Sequence, residues 1–185
     1  MSLGVHFSLS KQEVEQLLAM DDDEARAEYL HGVIEEDFFN NHRDRIAESD
    51  KSWDGMHRAL ADGELTWDGG EYPLNHVVLG GQLIECIDDG FMVLKTPEQV
   101  RDVATRLPSI TQSELRTRYF AIDPEDYEFD LSEEEFAYIW ENFESVREFW
   151  IRAASEKQVR PLFRVIAARR RAATRLSVAG IAFSR

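Results

Sequence analysis

GFMVLKTPEQV, residues 90–100, changes its period halfway along, and the fold class turns on that change. Phe91, Met92, Val93 and Leu94 form an unbroken apolar run of the length of a buried strand, with Gly90 at its near end. Thr96, Pro97, Glu98 and Gln99 then read as a helix start. The Thr96 hydroxyl can accept from the Gln99 amide while the Gln99 side chain reaches back, and Pro97 takes the first helical position, where a missing N–H costs least. Strand and helix therefore both belong to the fold.

Working outward, the beginning of the chain repeats the pairing. Val5, Phe7 and Leu9 alternate with His6 and Ser8, which predicts a short strand with one buried face. Ser10 and Glu13 form a second capping box that opens a helix through Val14, Leu17 and Leu18, and Asp21, Asp22 and Asp23 end it and can cap the next. Thr111 with Glu114 and Ser132 with Glu135 carry the same signature. Behind the last, Phe136, Ile139, Trp140, Phe143, Val146, Trp150 and Ala153 recur at steps of three and four, predicting a long helix from about Glu133 to Ala154. Its aromatic stripe reads as core, because soluble helices bury such a face.

Leu83 and Ile84 through Ile87 would pair with the Phe91 strand across Asp89 and Gly90. Pro161 to Ile166 would be a final strand of ambiguous periodicity, with Pro161 fitting only its beginning or an edge. Helices outnumber strands without regular alternation. The expectation is an α+β domain, several helices packed on a small mixed or antiparallel sheet, and no doubly wound sheet.

The 185 residues suit one domain, and 11 Phe, 5 Tyr and 4 Trp supply a core. The net charge of −15 opposes binding to phosphate backbones and anionic membranes, and favours a basic partner or none. The charge is uneven: residues 1–159 hold all 36 acids and 14 of the 21 Lys and Arg, a formal −22, while residues 160–185 carry seven Arg and no acid. Cys86 is the single cysteine, so no internal disulfide can form, and a reducing, cytoplasmic setting is expected. No export signal and no apolar stretch near 18 residues is visible.

Two further stretches are distinctive: DKSWDGMH at residues 50–57, followed by Leu60, and PLNHVVLGG at residues 73–81. With GFMVLKTPEQV and an aromatic helix from Tyr138 to Ala154, they resemble, in order and spacing, the YfbM-like domain-of-unknown-function family of bacteria. The resemblance covers roughly residues 4–166 and implies a compact α+β domain without an established activity. Residues 167–185, an Arg-rich tail holding Arg169, Arg170, Arg171 and Arg175, depart from the family's shorter members, and the acidic stretch 35–50 has no fixed place in the match.

Candidate chemistry gathers around those two stretches. Trp53 and His57 lie four apart, so on a helix they share a face, with Leu60 a turn beyond. His57 would be a general base, Asp54 or Asp50 its orienter, His76 a second polar contact, and Lys51, Trp53, Gly80 and Gly81 ligand-binding residues. The bland alternatives are that Trp53 anchors a helix, His57 bonds a loop carbonyl, and Gly80 and Gly81 make a turn. Neither a phosphate-binding glycine motif nor a G-x-S-x-G elbow occurs. There is no H-E-x-x-H, C-x-x-C or H-x₃-H, so no metal or cofactor is expected, and Cys86 in its apolar run reads as an inert thiol.

Two functions follow. The favoured one is an acidic protein-interaction domain, of the inhibitor type, binding a basic partner, with nucleic acid and membrane disfavoured by charge. The other is a small hydrolase or ligand-binding enzyme with a pocket formed by Trp53, His57 and His76.

Overall fold

The computed structural model describes residues 3–85, 91–155 and 162–167. Five strands, β1 (Leu3–Ser8), β2 (Ile46–Asp50), β3 (Gln82–Glu85), β4 (Phe91–Lys95) and β5 (Leu162–Ala167), form one sheet in the order β2-β1-β5-β4-β3. Every neighbouring pair is antiparallel. The fold is thus α+β with a purely antiparallel sheet.

Alternation along the strands sends side chains to two cores. Phe7, Leu9, Ile46, Ile84, Met92 and Leu94 pack with Val14, Leu17, Leu30, Ile34 and Phe38 from the segment that holds α1 (Lys11–Leu18), α2 (Asp23–Tyr29), a π-helical turn (Leu30–Glu35) and α3 (Glu36–Asn41). The opposite face meets the larger core, built from α4 (Trp53–Leu60), α5 (Pro97–Arg106), α6 (Gln112–Tyr119) and α7 (Glu133–Ser155). Beside Ala47 and Val93, that face buries three polar side chains, His6, Ser8 and Lys95. His6 stands 6.1 Å from the Phe149 ring of α7, and Ser8 and Lys95 share a row through Leu162.

The helix starts follow local chemistry. Ser10 with Glu13 and Thr96 with Gln99 close reciprocal capping boxes, Asp22 caps α2, and Thr111 and Ser132 accept from the Glu114 and Glu135 amides. A cap contributes about 1 kcal/mol, whereas burying one large apolar side chain contributes about 1.5–3 kcal/mol. α7, with Phe136, Ile139, Phe143, Val146, Phe149, Trp150 and Ala153 buried, therefore owes its place to its stripe more than to its cap.

Two features of the sheet are not legible in the spacing. β5 lies at the centre of the sheet, between β1 and β4, and the edges are β2 and β3. Secondly, residues 46–50 of the acidic stretch are strand β2, with a register shift between Gly4 and Val5 that leaves Ser49 opposite no β1 residue, its hydroxyl 3.1 Å from the Gly4 carbonyl. Cys86, Ile87, Asp89, Gly90, Pro161 and the arginines at 169, 170, 171 and 175 lie outside the described residues, and of Arg164 only the backbone is described.

Candidate functional site: two histidine neighbourhoods and an acidic segment

α4 places His57 on its buried side together with Trp53, Met56 and Leu60. The His57 side chain is 0% exposed, and its Nε2 lies 3.0 Å from the Thr66 carbonyl oxygen. A carbonyl only accepts, so Nε2 carries the proton and ties the helix to the 61–70 loop. The acids expected to orient His57 are committed elsewhere. Asp54 accepts from Arg58 Nε at 2.6 Å, and Asp50 accepts from the Tyr138 hydroxyl at 2.7 Å. Burial raises the Asp54 carboxyl despite Arg58, and burial together with Asp50 pushes Tyr138 up to about 12. Asp50 itself has φ 41°, a left-handed backbone at the end of β2. The Lys51 side chain is exposed, while its amide meets the Tyr138 hydroxyl at 3.3 Å.

His76 lies at the end of a short 3₁₀ turn, Leu74–His76, in a second neighbourhood. Its Nδ1 is 2.8 Å from Asn75 Oδ1, and the Tyr72 ring stands edge-on at 5.0 Å, with the Tyr72 hydroxyl donating to Asp102. Behind it Lys95, 1% exposed, donates from Nζ to the Leu79 carbonyl at 2.5 Å and to that of Gly80. Gly80 and Gly81 have φ 65° and 86°, which disfavours any other residue. A Cβ on Gly80 would lie 2.8 Å from His76 Nδ1, and one on Gly81 2.7 Å from the Leu94 oxygen. The close approach that these glycines permit is therefore made by the chain's own side chains and backbone.

His57 is turned to Thr66, and His76 to Tyr72, Asn75 and Gly80. Burial, then the Lys95 charge, lowers the His76 imidazole to about 4. The unfolded chain takes up this proton from about pH 6.5 downward, the native one only near pH 4, so stability is complete above that window and is lost as pH falls through it. After discounting for partial exposure the effect is on the order of 1 kcal/mol. In urea titrations between those pH values His76→Gln should flatten the dependence; parallel profiles for the two proteins would refute the assignment.

A third feature carries no recognised motif. Between Asp123 and Glu135 eight of thirteen residues are acidic and none is basic. Tyr127, Phe129 and Leu131 point into the larger core, while Asp126, Glu128 and Asp130 between them are exposed. The Tyr127 ring packs 6.2 Å from Tyr119 and 5.3 Å from Phe129. The period-two alternation was the legible signal, hidden because the segment joins helices and forms no strand. Burial raises the Glu135 carboxyl, and Arg116 pairs with Glu133.

Among the described residues no group of three or more His, Cys, Asp or Glu could hold a metal ion, and no helix is long and apolar enough to cross a membrane.

The family described as domain of unknown function (DUF1877) matches residues 1–159. A solved structure, described as the protein of unknown function YfbM from Escherichia coli, is similar in fold with a TM-score of 0.60 and 24% identity, covering 89% of this chain and 99% of that one. No curated protein matches the chain.

Proposed function

The chain belongs to the DUF1877 family, a domain of unknown function, and because that membership brings a fold without a reaction, we propose a function from its surface. It is a non-enzymatic, cytoplasmic interaction domain whose acidic segment, residues 123–135, binds a basic protein, in the manner of an inhibitor of a cationic target. One observation carries the reading: the segment's carboxylates are displayed by a backbone whose alternate side chains are packed in the core. A charged face held this way attracts a cationic partner and fixes its register without ordering a loose loop on binding. The net charge of −15 supports a protein partner over nucleic acid.

The alternative, a small hydrolase or ligand-binding enzyme with a Trp53, His57 and His76 pocket, has less support. Its base is fully buried and bonded to Thr66, and its orienting acid is paired with Arg58.

A fluorescent lysine-rich peptide should bind at low salt and be released as salt rises. The triple substitution Glu128→Gln, Asp130→Asn, Glu134→Gln should weaken it about tenfold, since each exposed pair contributes a few tenths to 1 kcal/mol. Equal affinity of the two proteins, or none at low salt, would sink the proposal.

A further inference from the structure

We infer that Arg58 is a positioning residue that holds the acidic segment against α4 and so presets the face proposed above; the inference rests on that reading. Arg58 is 4% exposed on α4 and reaches three parts of the chain. Its Nε donates to Asp54 at 2.6 Å, one terminal nitrogen to the Gly63 carbonyl at 3.2 Å, and the other to the Asp126 carbonyl at 3.0 Å. The guanidinium also stands 5.7 Å from the centre of the Tyr127 ring.

The segment needs such a tether. Residues 121–132 form neither helix nor strand, so no ladder of backbone bonds fixes them. Backbone bonds hold its ends, from Ala121 and Ile122 N–H to the Arg118 and Tyr119 carbonyls of α6 and from Phe136 N–H to the Ser132 carbonyl, while in its middle the bonds of Asp126 N–H to the Asp123 carbonyl at 3.1 Å and of Glu125 N–H to Asp123 Oδ1 at 2.9 Å are local. Arg58 ties it to the body at Asp126, and the Tyr119 hydroxyl, 3.4 Å from the Asp130 carbonyl, does so four residues on. A guanidinium is well suited to the anchor at Asp126, because its rigid fork serves three acceptors in different directions and Asp54 balances its charge where water cannot.

The test compares the full-length protein with Arg58→Met and Arg58→Lys. Amide exchange at residues 125–130 should speed up about tenfold or more in Arg58→Met while α7 and the sheet stay protected. Affinity for the lysine-rich peptide should fall roughly three- to tenfold, through faster dissociation. The sign is decisive, because Arg58→Met makes the protein more negative and charge alone would tighten the peptide. Arg58→Lys keeps the charge without the fork and should loosen the same amides; it carries the test if Arg58→Met does not fold. Unchanged exchange in the segment, or a tighter peptide, overturns the inference. If the wild-type protein fails to bind the peptide, the interaction reading falls, while the exchange data still decide whether Arg58 holds the segment.

Discussion

His57→Ala should lower the unfolding free energy by about 2–4 kcal/mol, read as a lower urea midpoint at constant slope. Two costs add. Removing a fully buried ring leaves a cavity unless its surroundings collapse, and the Thr66 carbonyl loses its donor. The expected result separates the two functional readings. A general base facing a substrate can be removed with little change in stability and a complete loss of reaction, whereas a ring that pins α4 to the 61–70 loop cannot. A stability change below about 0.5 kcal/mol would remove the structural role assigned to His57, since surface positions commonly lie in that range.

Lys95→Met should cost about 2–3 kcal/mol, although it relieves the chain of a buried charge. Methionine fills nearly the same volume but offers no donor, so the Leu79 and Gly80 carbonyls lose their Nζ partner together. Those carbonyls lie where Gly80 and Gly81 turn the backbone, and the loss falls on the segment that also seats His76. The desolvation recovered with the charge offsets part of this, which keeps the estimate below the sum of two unsatisfied carbonyls. A second readout accompanies the first. With the Lys95 charge gone, His76 should titrate higher than about 4 yet below 6.5, because burial is the larger cause of its shift. An imidazole proton titration that does not move, or a variant more stable than the parent, would show that Lys95 does not organise this turn.

Much of the fold was legible because its signals are local. Each capping box needs only residues three apart, and the stripe on α7 needs only its own turns, so Ser10, Thr96, Thr111 and Ser132 announced their helices directly. β4 was legible from its apolar run for the same reason. β2 was not, because Ile46, Ala47, Glu48, Ser49 and Asp50 mix exposed and buried residues around a bulge and take their register from β1. The centrality of β5 depends on partners far away in sequence, β1 and β4, and spacing holds no record of them.

The candidate residues fared by the same logic. Trp53 and His57 do share a helix, on which their four-residue spacing gives them a common face, and both are buried, but which group the ring would meet was decided by the 61–70 loop. Asp54 has the spacing to reach Arg58 one turn on, and that i,i+4 pair formed. Gly80 and Gly81, read as ligand-binding candidates or a turn, have positive φ, yet what approaches them, His76 on one side and the Leu94 carbonyl on the other, could be known only from three dimensions.

The order of the strands also governs how this protein must be assembled. Among the described residues β2 pairs only with β1, and β3 only with β4, so the early and middle parts of the chain supply two separate strand pairs. The strand that joins them, β5, sets Leu3 opposite Ala167 and Gly4 opposite Ile166. On the ribosome, therefore, both pairs must wait with one strand edge open until residues 162–167 have left the exit tunnel. Contacts of such sequence separation are slow to form, and open edges invite pairing with other chains.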